Sequence, residues 1–378
     1  MRERSLSVRV LVIAVVLALA VGRADAYPQF QLSRDQTCTG CHVSPAGGGL
    51  LNENGLNAAE AMSEFGTSPA FMYGAVGTPE WLELGGDFRG STGYVQAPQR
   101  YLTSFPMQAD LYGHATYDHF SLQVTLGYRP SEYGNENITH VWSREHYLMF
   151  QSDPGTTEGL YIRAGRFMPV FGLRFAEHPL YVRRFGGTQL YAETYGAAIE
   201  YIKPKYEAHL TGFVRDPLID PVEHASGGAA YVEVRPVDYV AVGAEGMVSV
   251  TTDDKKFRGG FTGKYYLKHP DLLFQTEVQV VNQRIGPYGL TQLVSEVMGT
   301  WWPRTAVMLD VGWGHYDENL RIKGLDRDAF DVNLHWFTTS HFEAVINARL
   351  ELIGQASSNP DVSGPTGTYV LLQGHYRL

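Results

Sequence analysis

The chain has 378 residues, of which 44% are hydrophobic and 19% charged, and a formal net charge of −10. That sign argues against nucleic-acid binding as the main role. With 41 Gly, 23 Tyr and few runs of helix formers, the composition points to a β-rich protein.

The N-terminus reads as a secretory signal, residues 1–26. Arg2, Arg4 and Arg9 give a basic start, residues 10–21 an apolar core, and Ala24-Asp25-Ala26 a small-x-small cleavage site, so the mature chain is expected to begin at Tyr27. The apolar core is shorter than the roughly twenty residues a membrane helix needs, and no later run reaches that length. No Cys follows the cleavage site, so no lipid anchor is expected.

Residues 27–80 are organised around Cys38-Thr39-Gly40-Cys41-His42, which holds both cysteines of the chain. Cys-x-x-Cys-His is the attachment signal for c-type haem. Two thiols one short turn apart add to the vinyl groups on one porphyrin edge, and the adjacent imidazole becomes the proximal iron ligand. The other readings are half a zinc site, a thioredoxin-like redox pair and a plain disulfide. The first lacks a second thiol pair, and the second lacks a βαβ pattern. One covalent haem c is the favoured reading, with Cys38 and Cys41 binding the cofactor and His42 the metal; the export signal agrees with it.

After the motif, Pro45 and the glycines 47–49 form a loop that lets backbone approach a flat ring. Residues 56–65 read as a short helix with Leu56, Ala59, Met62 and Phe65 on one side. Residues 68–80 form a linker rich in Gly and Pro. The sequence does not fix the distal iron ligand: Met62 is the named candidate, with Met72, His114 and His335 as alternatives, and a Met that only packs in a small apolar face is the commoner case. A segment this short cannot bury a porphyrin alone, so it is expected to pack against the rest of the chain.

Residues 81–378 change character, because apolar residues recur at every second position. Phe120, Leu122, Val124, Leu126 and Tyr128 alternate with polar or small partners, and Phe330, Val332, Leu334 and Trp336 do the same. Short turns are expected at Asp118, Pro204, Pro236-Val237, His269-Pro270, Pro303 and Thr339-Ser340, and a slightly longer one at 152–158. Longer loops are expected at 97–105, 130–140, 169–190, 216–224, 252–256, 284–288, 317–324 and 355–365. About sixteen strands alternating in this way predict an all-β fold, an antiparallel transmembrane barrel with short periplasmic turns. Trp142, Trp301, Trp302, Trp313, Tyr316 and Trp336 read as interface girdles. Both chain ends then lie on the periplasmic side, and the haem segment sits at or inside the periplasmic mouth. The acids Asp110, Glu277, Asp310, Asp331 and Glu343 read as solvated pore lining. No Ser-His-Asp, zinc-helix or phosphate-loop motif appears, so no enzyme is expected.

These residues carry three resemblances. The stretch from Cys38 through Asn52 and Gly55, followed by a barrel, resembles bacterial outer-membrane proteins that join one c-type haem motif to a porin-like β-barrel. Leu56 stands where a more basic helix start is expected. Gly165-Arg166-Phe167, Pro169 and Phe171-Gly172-Leu173 resemble a stretch of phosphate-selective porins and related barrels; in many porins the third outer loop folds inward and narrows the pore, and the equal alternative is an apolar loop that simply packs against the barrel wall. Arg174, His178, Arg183 and Arg184 would then face the lumen and favour anions. The last strand, ending in Leu378 rather than Phe, resembles the C-terminal strand of outer-membrane proteins. The first resemblance implies electron transfer at the outer membrane. Its partners would be multihaem cytochromes or other redox proteins, or a reducible ion entering the pore, with lipid around the barrel; a homo-oligomer stays open. The alternative is a passive, anion-preferring porin whose haem is a structural or redox-gating plug. A third option is a haem enzyme with an open iron site.

Overall fold

A computed structural model describes residues 32, 37–96, 99–128, 141–189, 192–215, 225–354 and 366–378. The expected secretory signal lies outside the described residues, as do the expected loops at 130–140, 216–224 and 355–365. The sixteen strands close into one antiparallel barrel in which each strand pairs with its sequence neighbours and β1 (Leu82–Gln96) pairs with β16 (Thr366–Arg377). At the seam Asp87 stands opposite Arg377, and the Leu378 amide donates to the Gly86 carbonyl at 2.8 Å.

The period-two pattern becomes an inverted core. On β3 (Phe120–Tyr128), Phe120, Leu122, Leu126 and Tyr128 are exposed while Gln123 and Thr125 are buried. On β14 (Asp326–Thr339), Phe330, Val332, Leu334 and Trp336 face outward and Asp331, Asn333 and His335 inward. Apolar side chains outside and polar ones inside suit a cylinder surrounded by hydrocarbon, where ladder bonds satisfy every backbone group.

Seven tight or short connections gather at one end, the turn end, together with the start of β1 and the finish of β16. Two expected turns are displaced. Pro236 lies in β8 (Ser226–Val237) and Pro303 in β12 (Tyr288–Arg304), each beside a register shift. A bulge accepts a residue that cannot donate to the ladder, so proline marks the bulge and the reversal comes later. Three expected loops are mostly strand. Pairing runs on to Gln96 with Arg100, to Lys255 with Val250, and to Ile285 with Tyr288. Polar residues there extend hairpins past the apolar band, which sequence alternation alone reads as loop.

Among the described residues, two segments fill the lumen. From the turn end, residues 37–52 enter and fold back, and helix α1 (Glu53–Met62) follows. From the other end, the connection between β5 (Gly159–Phe167) and β6 (Thr194–Lys203) folds inward, carrying the short helix α2 (Tyr181–Arg184). This inward loop crosses to the far wall. Leu173, Phe175, Leu180, Tyr181 and Val182 pack with Val281, Val294, Met298, Tyr316 and Ala329 of β11 (Leu272–Ile285) to β14.

The aromatic girdle is therefore partial. Trp301, Trp313 and Trp336 are exposed, but Trp302 turns inward and packs beside Met62 and Leu32. The pore acids also differ from expectation. Asp110 is 1% exposed and Asp310 0%, because the two inserted segments displace the water a bare lumen would hold.

Candidate functional site

The Cys-x-x-Cys-His stretch forms a tight turn. Cys38–Gly40 is one 3-10 turn, and the His42 amide donates to the Cys38 carbonyl at 2.9 Å. Asn52 ties this turn to α1: its side chain donates to the Thr39 carbonyl at 2.8 Å and accepts from the Gly55 amide at 2.9 Å, capping the helix. That cap starts α1 three residues earlier than the apolar spacing suggested. Gly55 is required, since a Cβ there would stand 2.1 Å from the Cys41 carbonyl oxygen. The glycine loop has a similar logic. Gly47 has φ +71°, and a Cβ would lie 3.3 Å from Cys38 Sγ and 3.9 Å from the His42 ring.

Cys38, Cys41 and His42 line one cavity with Gly47, Gly48, Gly49 and Leu51. Its opposite wall is the inward loop, with Met168, Leu173, Arg174, Phe175, His178 and Arg183. Its sides are barrel residues, among them Arg89, Met107, Asp110, Tyr112, Arg144 and Lys264. The motif and the third outer loop, about 130 residues apart in sequence, thus face one another across a shared space.

They are also bonded. Arg174 donates to Cys38 Sγ at 2.9 Å, to the Pro45 carbonyl at 3.3 Å and to the Ala46 carbonyl. Arg163, paired with Glu200 at 2.7 Å and fully buried, reaches Ser44 Oγ at 3.4 Å. Thr39 donates to the Thr157 carbonyl at 2.6 Å in the turn between β4 (Val141–Gln151) and β5. Burial pushes the Cys38 thiol up, against the pull of Arg174. Burial, with the charges of Arg183, Arg89 and Arg144, lowers His178 to about 3, which keeps its imidazole neutral. Burial also lowers Arg183, to about 10.

Among the expected distal donors, Met62 is not brought to this cavity. It ends α1 and packs against Ala306, Met308 and Phe337 near the turn end, because the cap at Asn52 fixes the phase of the helix and turns Met62 to the wall. Met72 is 41% exposed. His114 is held by Glu83 at 2.6 Å and His335 by Glu343 at 2.6 Å, and neither lines the cavity. Met107, Met168 and His178 do line it. His178 stood out in the sequence only as a cation of the inward loop, and Met168 only as a residue beside it. Met107 lies where the β1–β2 register shifts, and period two gives no sign of it. Of the loop cations expected to favour anions, Arg174 is committed to the inserted N-terminal segment, Arg183 lines the cavity, and Arg184 is exposed with its guanidinium 5.2 Å from the Phe185 ring.

Three of the five expected pore acids are held by basic side chains rather than solvated. Asp110 binds Arg144 at 2.5 Å, Asp331 binds Arg349 at 2.9 Å, and Glu343 bridges His335 and His375. Glu277 accepts the Leu173 amide at 2.5 Å and so receives the inward loop.

No family model matches the sequence, and no curated protein does. Solved structures match the fold. Outer-membrane expressed OmpT of Vibrio cholerae aligns with a TM-score of 0.60 at 12% identity, covering 80% of this chain and 100% of that one. An anion-selective porin from Comamonas acidovorans aligns with a TM-score of 0.57 at 10% identity, covering 79% and 99%. OprB of Pseudomonas putida gives 0.59 at 11% identity, covering 79% and 94%. The architecture is therefore that of a porin-like outer-membrane barrel.

Proposed function

We propose that this chain is an outer-membrane barrel that holds one covalent c-type haem in its lumen and passes electrons through it at the cell envelope. The observation that supports it is the confinement of both thiols and the His42 imidazole to one cavity between the inserted segment and the inward loop. The donor set fits the group. Cys38 and Cys41 would hold the porphyrin edge and His42 the iron, and the positive φ at Gly47 leaves the space beside both that a side chain would take. Leu51, Leu173 and Phe175 offer apolar contact, and Arg89, Arg183 and Lys264 bring positive charge to the same wall, Lys264 while paired with Glu233 at 2.7 Å. When bound, such a group supplies one-electron transfer. Met107, Met168 and His178 are the remaining sulfur and imidazole donors on the wall. One haem cannot cover a hydrocarbon layer of about 30 Å, so redox partners such as multihaem cytochromes are part of the proposal.

The test is Cys41→Ala. The parent protein is expected to keep its haem colour through denaturing electrophoresis, and the variant to lose the covalent attachment and the envelope electron flux. A colourless parent, or a flux unchanged in the variant, overturns the reading.

A second reading, an anion-preferring porin with a haem plug, is favoured by the likeness to an anion-selective porin and by the arginines in the lumen. Planar-bilayer recordings separate the two. A large open conductance in the haem-bearing protein supports the porin, and a closed lumen supports electron transfer.

A further inference from the structure

The inward loop brings a second donor set together, one residue before His178 and outside the Cys-lined cavity. Glu177 of that loop meets Asp310 of β13 (Val307–Asp317) and His335 of β14, with one ligand atom from each within 4.8 Å of the others. This is the one such group of three among the described residues. His335 Nε2 lies 3.3 Å from Asp310 Oδ2 and 4.0 Å from Glu177 Oε1. Its other nitrogen, Nδ1, lies 2.6 Å from Glu343 Oε1. A metal-binding imidazole commonly has this arrangement: one nitrogen donates to a carboxylate, which fixes the tautomer and aims the lone pair of the other.

Two further features point to a cation. Asp310 is fully buried, and its Oδ2 has no hydrogen-bond partner, while Oδ1 accepts from Thr300 at 2.5 Å. Glu177 Oε2 is buried without a hydrogen bond as well. Burying carboxylate oxygens without donors is costly unless a positive charge faces them. The separation of 3.3 Å between Nε2 and Oδ2 is long for a charge-assisted hydrogen bond. It suits two ligands on one ion, since bonds of about 2.0–2.1 Å at tetrahedral angles hold donors roughly 3.3–3.4 Å apart.

We propose that Glu177, Asp310 and His335 bind a divalent first-row transition ion, with Glu343 orienting His335 from behind. One imidazole and two carboxylates suit such an ion. The ion pins the inward loop to the far wall of the barrel. This site stands apart from the haem cavity, because it uses none of the residues that would hold the porphyrin.

The experiment uses the full chain in detergent, stripped with chelator and dialysed, with Mn²⁺ as the probe. The electron paramagnetic resonance signal of free Mn²⁺ reports the bound fraction. One Mn²⁺ per chain is expected, with affinity lowered at least ~10-fold by Asp310→Asn and roughly 10–100-fold by Glu343→Gln. Glu177→Gln, on the loop and away from the strand ladders, is expected to weaken binding while the folded barrel keeps its heat-modifiable gel mobility. Absence of stoichiometric binding at millimolar Mn²⁺ overturns the proposal. Binding that survives both Asp310→Asn and Glu177→Gln overturns it as well.

Discussion

Gly47 and Gly48 form a natural comparison at the scale of one residue. Both have φ +71°, so a side chain at either carries the same left-handed penalty, about 1–2 kcal/mol. They differ in surroundings. A Cβ at Gly47 meets Cys38 Sγ, whereas one at Gly48 has open space. The difference between Gly47→Ala and Gly48→Ala therefore isolates the intrusion on the thiol from the backbone strain. Haem staining normalised to protein is expected to fall for Gly47→Ala and to stay near the parent level for Gly48→Ala. Equal loss in both would assign the effect to strain alone. Arg163 offers a second residue-scale test. It is fully buried against Glu200, and removing one partner of a buried pair costs about 3–5 kcal/mol. Arg163→Ala is expected to lower the midpoint of urea unfolding, read by the loss of heat-modifiable mobility.

At the scale of the element, the inward loop is held mainly by apolar packing. Leu180 and Tyr181 are 1% and 0% exposed, and the Tyr181 hydroxyl donates to Glu351 at 2.6 Å. Truncating Leu180 to Ala removes roughly 2–5 kcal/mol of packing, and Tyr181→Ala a similar amount with the hydroxyl bond. The strand ladders do not depend on either side chain. The double variant is expected to assemble as a barrel, with a larger and noisier single-channel conductance as the loop leaves the lumen. Unchanged conductance would mean that the loop does not set the pore. This element also shows how far the sequence could be read. Period two gave the strands, since every barrel strand has one lipid face, and most turns followed from Pro, Gly and Asp. The direction of the long connection between β5 and β6 came from its length and a resemblance. Its landing site did not, because Val294 and Ala329 are inward positions that look like any others. The fate of Met62 was likewise hidden. It depends on the helix phase set by Asn52, and apolar spacing over a few turns fits more than one phase. That Cys38, Cys41 and His42 share one wall was legible because they are neighbours in the chain. The residues facing it come from distant strands and were not.

For the molecule as a whole, the question is whether the inserted N-terminal segment is part of the barrel's stability or a plug laid into a finished wall. The closed ladder runs from β1 to β16 without it, and every strand finds two neighbours. Inside the lumen its attachments run through side chains: Thr39 to Thr157, Ser44 to Arg163, Arg174 to the carbonyls of Pro45 and Ala46, and Met62 against Met308 and Phe337. At the rim, the amides of Glu64 and Phe65 donate to the carbonyls of Phe337 and Thr338 at 2.9 Å, beside the turn between β14 and β15 (Phe342–Ile353). Backbone satisfaction inside hydrocarbon is what a membrane barrel cannot forgo, and the ladder supplies it alone. Deleting 27–80 while keeping residues 1–26 is therefore expected to leave an assembled, heat-modifiable barrel. Lumen acids such as Asp110 and Glu200 would then rehydrate, and water and ions would fill the vacated space. Single-channel conductance should rise well above that of the full chain. It should rise further when Leu180→Ala and Tyr181→Ala are added, because the inward loop remains as a second, independent constriction. Failure of the shortened chain to assemble would show instead that the segment is a structural core of the barrel. The lumen polar groups, from Arg163 to Glu343, would then need it as their buried counterpart.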